Sequence, residues 1–300
     1  MRTIGSAVLL TAVLLSTSAD VGAQSTHDGA VRTAGSGGGT WVLLSGLVGG
    51  VPGFRALERE LVADGQRVIT IDPYRLSVDS ADVSFAALAR RVNGVLAGMG
   101  VTSANVVGHA HGAGVALRLA ASVPSATTTS VDALYFLDVG ALESNRTKVL
   151  SLSLRLAPLI ASLPGGRGFL RRKLVAGIQQ NAGRCEWFDE VAQRAYVDPV
   201  LQRIGRVVAL AVRLGASKEP EPLHDVIARV SAPVTVFVGL VPHPSGPHPD
   251  EFTALEAMGR RLSIVRLPGV GHFPHEEATD LVAARMLGRS VRPVVAGAAR

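Results

Sequence analysis

The stretch Val106-Val107-Gly108-His109-Ala110-His111-Gly112-Ala113-Gly114 decides the fold of this chain. An apolar run over residues 104–107 ends in a Gly-x-x-x-Gly turn, and residues 115–120 then supply apolar surface in a helix-like segment. Glycines on both sides of a sharp turn let the backbone bend without a clash from a Cβ atom. The sequence therefore predicts a strand, a tight turn and a helix, with Ala110 at the tip of the turn.

This strand–turn–helix unit resembles the nucleophile elbow of the α/β-hydrolase family, and the resemblance extends over about residues 40–287. In that family the elbow has the pattern Gly-x-Ser-x-Gly, and the middle position here is Ala110. A methyl group cannot attack a carbonyl carbon. The resemblance implies an α/β fold with a mostly parallel, doubly wound sheet and a helical cap inserted above the active site.

The pattern along the chain fits this organisation. Strands and helices alternate, which calls for a mostly parallel sheet covered on both faces. The core is assigned to residues 40–140 and 230–288, the cap to residues 141–229, and a loose tail to residues 289–300. Strands are predicted at 41–44, 66–72, 131–136, 233–238 and 262–267, and helices at 54–63, 85–99 and 276–287.

The first 23 residues have the pattern of a secretory signal peptide. Arg2 gives a positive start, residues 8–15 are apolar, and Val21-Gly22-Ala23 is a small-residue cleavage site. The apolar run is short for a membrane-spanning anchor, which is the alternative. Residues 24–39, rich in Ser, Thr and Gly, are predicted to form a flexible leader. We therefore expect an exported protein, periplasmic or secreted, cleaved near Ala23.

Composition limits the class of protein and its partners. Hydrophobic residues make up 47% of the chain and charged residues 18%, as in globular proteins. The formal net charge is +6, and residues 141–229 contain 14 Lys and Arg against 8 Asp and Glu. A solvated basic helix face is the favoured interpretation, and weak association with an anionic surface is the alternative. We expect a small-molecule ligand or substrate, no nucleic acid and no cofactor, and the lone Cys185 cannot form an internal disulfide.

His272 is predicted to occupy the position of the catalytic base. Gly269-Val270-Gly271-His272-Phe273-Pro274 follows the last predicted strand and resembles the family's Gly-His-x-Pro loop. In this family a base of this kind takes the proton of the nucleophile and is oriented by an acid.

Two carboxylates compete for the role of that acid. Family members commonly have Gly-x-x-Asp after the strand at 233–238, but this chain has Gly239-Leu240-Val241-Pro242. Asp138 follows the preceding strand, where some members place the acid, and Asp250 in a later loop is the alternative. For each carboxylate, a strand-end or helix-capping role is the other interpretation.

Backbone N–H groups are expected to form an oxyanion site. Ser45-Gly46-Leu47 stands where the family has a His-Gly turn, and the N–H of Leu47 can serve whatever its side chain. His111 is expected to contribute its backbone N–H as well. A metal site formed by His109, His111 and His272 is a disfavoured alternative, because nothing makes the two rings beside the elbow converge, and no metal is expected.

These residues leave competing hypotheses for function. The first is a hydrolase-fold protein with a degenerate triad, which binds a small apolar or ester-like ligand and has little or no serine-hydrolase activity. The second is a hydrolase or lyase-type enzyme that uses His272 as general base without a covalent serine intermediate. A conventional esterase with an unrecognised nucleophile is the third. A closed space around Ala110 and His272 favours a structural role, whereas an open apolar pocket favours ligand or substrate use.

Overall fold

The computed structural model describes residues 24–26, 29–77, 80–146, 155–246 and 249–289. The predicted signal peptide at residues 1–23 and residues 290–300 of the predicted tail lie outside the described residues. Within the described part, eight strands form one sheet: β1 (Gln24–Thr26), β2 (Val31–Ala34), β3 (Thr40–Leu44), β4 (Arg67–Ile71), β5 (Ser103–Ala110), β6 (Ser130–Val139), β7 (Val234–Gly239) and β8 (Leu262–Leu267).

The α-helices of the described residues lie between and after these strands. They are α1 (Arg55–Ala63), α2 (Phe85–Gly98), α3 (His111–Ala120), α4 (Ala157–Ser162), α5 (Gly166–Asn181), α6 (Glu190–Gln202), α7 (Ile204–Ala216), α8 (Leu223–Arg229), α9 (Pro249–Glu256), α10 (Pro274–Glu277) and α11 (Thr279–Met286). Short 3₁₀ helices lie at Val51–Phe54, Arg75–Ser77, Ser144–Arg146 and Gly259–Arg261. No helix in the described ranges has the length and apolar character needed to cross a bilayer.

The sheet is mostly parallel and covered on both faces, as predicted. Its strand order is β1-β2-β4-β3-β5-β6-β7-β8, and every pair from β4 across to β8 is parallel. Side chains alternate across it, because successive residues of a strand point to opposite faces. Val42 and Leu44 of β3 pack with α2 and α3, whereas Trp41 and Leu43 pack with α1 and α11. This alternation gives the core two apolar layers.

The prediction of a flexible leader at residues 24–39 is wrong for its strand residues. β1 and β2 pair with each other, and β2 joins the sheet antiparallel to β4, with Val31 opposite Ile71 and Ala34 opposite Val68. Val31 and Ala34 are buried, so the segment contributes to the core. Because the segment is rich in Ser, Thr and Gly, its composition did not predict that Val31 and Ala34 would be buried.

Helices α4 to α7 form the cap, with an apolar cluster of their own. This cluster includes Phe188 and Tyr196, and it also takes in Phe273, the residue after His272. The last helix of the segment assigned to the cap differs, since Val226 and Ile227 of α8 pack within the core cluster. Leu210 and Leu214 of α7 also belong to the core cluster, so α7 packs in both clusters, whereas α4 to α6 contribute to the cap cluster alone among the described residues.

Candidate active site

The predicted turn after β5 is present and has the geometry of an elbow. Ala110 ends β5 with φ 51° and ψ −119°, and His111 begins α3. A Cβ atom at Gly108 would lie 2.5 Å from the carbonyl oxygen of Gly112. One at Gly112 would lie 2.3 Å from the carbonyl oxygen of Leu44. Both glycines are therefore required by the close approach of the strands and the helix.

Backbone strain is concentrated at this end of the sheet. Among the described residues, two non-glycine residues have a positive φ, Ala110 at 51° and Asp138 at 44°. They end or nearly end the neighbouring strands β5 and β6. Each such residue costs about 1–3 kcal/mol and persists only where the surroundings hold it, which is typical of functional sites.

His272 and Asp138 form a buried hydrogen-bonded pair. Nδ1 of His272 lies 2.7 Å from Oδ2 of Asp138, and the two residues are 8% and 1% exposed. An ionised carboxylate can only accept, so Nδ1 donates to Asp138, and Nε2 is the ring nitrogen that faces away from this hydrogen bond. The other carboxylate oxygen, Oδ1, accepts from the backbone N–H of Gly239 at 3.2 Å. This pair has the geometry of a general base held by an acid.

The structure brings Asp138, and not Asp250, to His272. Asp250 lies on α9 with a side chain that is 72% exposed, and its Oδ2 is 3.5 Å from Nη1 of Arg146. Of the two carboxylates proposed from the sequence, Asp138 is therefore the one within hydrogen-bond distance of His272.

His243 is a member of the site that sequence reasoning missed. Its Nε2 lies 3.2 Å from Oδ2 of Asp138, and its side chain is 5% exposed. Burial raises the pKa of Asp138, but the hydrogen bonds from His243 and His272 outweigh burial and leave the pKa below its ordinary value. The available signal was position, because His243 directly follows Gly239-Leu240-Val241-Pro242, where the family's aspartate is missing.

One group of side chains in the described ranges has the donors for a metal ion. The donor atoms of Asp138, His243 and His272 all lie within 4.8 Å of one another, and imidazole and carboxylate are common zinc ligands. Their hydrogen bonds already hold Oδ2 of Asp138 between the two rings. The alternative set with His109 does not form, because Nε2 of His109 donates to the backbone oxygen of His272 at 2.9 Å.

Three further histidines near the site are neutral at physiological pH. Burial is the main cause in each case, and the nearby His272 lowers their pKa values further. The pKa of His109 lies well below its usual value, that of His111 is lowered to about 4 and that of His275 to about 3. They surround His272 with neutral rings instead of competing cations.

Glu277 holds the loop that carries His272. Its Oε1 accepts from the backbone N–H of Phe273 at 3.1 Å, and Oε2 accepts from that of Gly271 at 3.0 Å. Oε2 also accepts from Gly183 and Arg184, which lie between the cap helices α5 and α6. One carboxylate therefore connects the base loop with the cap.

A cap residue and a buried acid meet beside this loop. The hydroxyl of Tyr196 in α6 lies 3.0 Å from Oε1 of Glu276, 3.2 Å from the backbone oxygen of Gly53 and 3.3 Å from Nε2 of His275. Burial raises the pKa of Glu276 to about 7. The cap is thus fixed to the core next to the candidate base.

The residues expected to form an oxyanion site lie around the elbow. A Cβ atom at Gly46 would be 3.2 Å from Cβ of Ala110, so the turn after β3 contacts the elbow directly. His111 is the first residue of α3, where a backbone N–H has no intrahelical partner. Leu47 follows Gly46 and is half-buried.

A half-open cleft, here called the cap cleft, lies beside the elbow between the turn at Leu47 and helices α6 and α7. Its volume is about 680 Å³, including the part open to solvent. Leu47 belongs to its wall, but Ala110 and His272 do not. Those two residues are 5% and 8% exposed. Ala110 and His272 are nearly inaccessible to solvent, which favours a structural role, whereas the open, largely apolar cleft lined by Leu47 favours ligand binding.

The sequence profile of the alpha/beta hydrolase family matches residues 33–285, and this chain belongs to that family. Similar solved structures include a meta-cleavage product hydrolase from Pseudomonas fluorescens IP01, CumD, at 15% identity and a TM-score of 0.63. A thermophilic esterase from Thermogutta terrifontis matches at 19% and 0.59, and the epoxide hydrolase CorEH at 19% and 0.61. Each match covers 86% of this chain, and 93%, 92% and 93% of the respective neighbour. At these identities the likeness shows the fold.

Proposed function

We propose that this chain is an enzyme of the alpha/beta hydrolase family that works without a covalent serine intermediate. The observation that carries the proposal is the 2.7 Å hydrogen bond between His272 and Asp138, next to an elbow whose tip is the methyl group of Ala110. Nε2 of His272 is then the base, and a water molecule or a hydroxyl group of the substrate takes the place of the side-chain nucleophile.

For an ester substrate the steps balance without any further group. Nε2 of His272 takes a proton from water while the water oxygen adds to the carbonyl carbon. The developing oxyanion faces the backbone N–H groups of Leu47 and His111. The intermediate collapses as the leaving alkoxide takes the proton back from Nε2, which gives the acid, the alcohol and the starting state of the enzyme.

Binding without turnover is the second candidate. It is supported by the loss of the nucleophile and by the burial of Ala110 and His272, which are 5% and 8% exposed. In that case the fold and the cap would bind a small apolar or ester-like ligand, with little or no serine-hydrolase activity. The strain at Ala110 and Asp138 favours the first candidate, because strained residues are typical of working sites.

The test is hydrolysis of p-nitrophenyl acetate and butyrate by the native chain and three variants. We expect native turnover above background, a loss of about 10²-fold or more in His272→Gln, and no change in His224→Gln. His224 is a matched control because its side chain is 78% exposed. Ala110→Ser is expected to raise turnover and to add the mass of an acyl group to the protein, which the native chain does not gain.

The outcomes separate the candidates. Native turnover that His272→Gln leaves intact contradicts the proposed base and points to an unrecognised nucleophile. A silent native chain beside an active Ala110→Ser variant overturns the proposed enzyme and supports binding without turnover. Silence in every variant contradicts ester hydrolysis.

We also propose that the protein is exported, which is supported by the signal-like pattern of residues 1–23. N-terminal sequencing of the protein recovered from its own cells is expected to start near residue 24. A protein that still begins at Met1 would contradict export through cleavage.

A further inference from the structure

The walls of the cap cleft are mainly apolar. Leu47 contributes from the core, and Val207 and Leu210 of α7 contribute from the cap. Leu210 is also part of the core cluster, so this wall is firmly packed. Apolar walls with a few polar groups are typical of sites for small organic ligands.

The charged groups of the cleft are mostly cations. Arg75, Arg203 and Arg206 line it, and Asp72 is the one carboxylate among its lining residues. Oδ1 of Asp72 accepts from the backbone N–H groups of Tyr74 and Arg75, at 3.0 and 3.1 Å. Burial raises the pKa of Asp72. The lining therefore has an excess of positive charge even with Asp72 ionised.

Two of these cations lack an ion-pair partner. Arg203 and Arg206 lie at the junction of α6 and α7, and neither has a carboxylate within 4 Å in the described part of the chain. Burial lowers the pKa of Arg203 most, and the charges of Arg75 and Arg206 lower it further against the weaker attraction of Asp72. An anion between these side chains would reduce that repulsion.

A buried hydroxyl group in the same cleft also lacks a partner. Tyr74 lines the cleft and is 3% exposed, and its hydroxyl has no hydrogen-bond partner in the described ranges. A buried polar group without a hydrogen-bond partner is unfavourable, so such groups indicate a missing partner. Burial raises the pKa of Tyr74 well above its usual value, so the hydroxyl keeps its proton and can donate.

We propose that the cap cleft binds a small amphipathic anion, with a carboxylate at Arg203 and Arg206 and an apolar body against Leu47 and Val207. Tyr74 supplies a further hydrogen-bond donor. Leu47 belongs both to this wall and to the turn that contacts Ala110, so the cleft adjoins the elbow. Together with the proposed function, on which this step rests, the cleft defines the substrate class as acyl compounds that carry a free carboxylate.

The experiment is calorimetric titration of the full chain with octanoate, octanamide and octyl phosphate. Octanamide has the same chain as octanoate and no charge. We expect octanoate to bind about 10-fold or more tightly than octanamide, because a charge-assisted contact with a guanidinium group is strong. We expect octyl phosphate to bind no more tightly than octanoate.

Variants locate the binding. Arg203→Met, Arg206→Met and Tyr74→Phe are each expected to weaken octanoate binding by about 5-fold or more, whereas octanamide binding stays unchanged. Arg172→Met on α5 is the matched control, because Arg172 is exposed, belongs to the cap and does not line the cleft.

Several results would overturn the cleft proposal. Equal affinity for octanoate and octanamide would contradict an anion site in the cleft. If Arg172→Met weakened octanoate binding as much as Arg203→Met does, the binding would be general attraction to a basic surface. If octyl phosphate bound 10-fold more tightly than octanoate, the site would prefer a phosphate and the proposed carboxylate ligand would be wrong.

The experiments distinguish failure of the cleft proposal from failure of the proposal that His272 is the base. Octanoate binding that is unchanged in His272→Gln, with no ester turnover in the native chain, keeps the cleft and overturns the base. Ester turnover without any preference for esters that carry a carboxylate keeps the base and overturns the substrate class.

Discussion

Two buried carboxylates, Glu219 and Asp138, lie at the same distance from their nearest basic side chain, but their surroundings differ. Oε2 of Glu219 lies 2.7 Å from Nε of Arg118, as Oδ2 of Asp138 lies 2.7 Å from Nδ1 of His272. Glu219 also accepts from the backbone N–H groups of Phe85, Ala86 and Ser144, at 2.8, 3.1 and 3.3 Å. These contacts bind a segment after the cap to the start of α2.

The two basic partners differ in whether they have a further nitrogen that can accept a proton. Arg118 stays protonated and also donates to the backbone oxygens of Gly114 and Leu142, so its pair with Glu219 only holds structure together. The partner of Asp138 is an imidazole whose second nitrogen keeps a lone pair. The 2.7 Å distance alone therefore does not distinguish the two pairs, and the imidazole partner is what makes the Asp138–His272 contact catalytically useful.

Glu219→Gln is expected to have the largest effect on stability. Loss of one charge from a buried pair leaves Arg118 uncompensated and costs about 3–5 kcal/mol in the free energy of unfolding. Urea unfolding measures this, with Glu190→Gln as the control, because the Glu190–Arg194 pair is exposed and contributes about 0.5 kcal/mol or less. A loss below about 1 kcal/mol in Glu219→Gln would contradict the structural role given to the Glu219–Arg118 pair.

Glu276 is a third carboxylate, partly buried, and it has no cation within ion-pair distance in the described ranges. Its folded pKa of about 7 lies above the unfolded value of 4.5, so the folded chain binds the extra proton between these values. The resulting stability is fully present below pH 4.5 and is lost as the pH rises through 7. The loss is roughly 3 kcal/mol.

Urea unfolding of the native chain and of Glu276→Gln at pH 5.5 and pH 8 measures this effect. The variant keeps the shape of the protonated acid and cannot titrate, so its stability is expected to change less between the two pH values. Identical pH dependence in the two proteins would show that Glu276 titrates as an exposed carboxyl does.

Asp138→Asn is expected to cost less than Glu219→Gln, about 1–2 kcal/mol. The amide oxygen can still accept from one neighbouring imidazole, whereas Glu219→Gln leaves the permanent charge of Arg118 without a carboxylate. Activity separates the pairs further: Asp138→Asn is expected to reduce ester turnover, but no further than His272→Gln, because Asp138 acts through that base. If Asp138→Asn unfolds the chain as Glu219→Gln does, the two carboxylates have the same role.

Ala110→Gly is expected to have the smallest effect. Relief of strain at φ 51° offsets the lost methyl contact and the extra freedom of the unfolded chain, which leaves a change within about 0.5 kcal/mol. The same substitution three residues later, Ala113→Gly, removes a fully buried methyl group from a helix and is expected to cost about 1–2 kcal/mol. Equal costs at both positions would mean that the elbow is not strained.

Local patterns explain what could be predicted from the sequence. The elbow and the His272 loop are short motifs that can be recognised locally, although Gly271 is required by its contact with the distant Asn181. Asp138 could be proposed because it follows a strand at the correct edge of the sheet. Strand β8 lies at Leu262–Leu267, where it was predicted, since its boundaries are marked by charged and glycine residues.

Contacts between distant parts of the chain explain what was missed. His243 meets Asp138 across 105 positions of sequence, and Tyr196 meets Glu276 across 80. No periodicity or spacing links such pairs before the chain is folded. The leader was misjudged for a related reason, because the pairing of Val31 with Ile71 depends on a strand 40 residues later.

The position of Phe273 has a consequence for how this protein admits a ligand. Its ring packs among the cap helices, while the preceding residue in the chain is the base, and Glu277 accepts hydrogen bonds from both the cap and the base loop. A cap that swings outward pulls on the backbone of His272 as it moves. We therefore expect movement of the cap to displace the proposed base, because Phe273 and Glu277 connect the two.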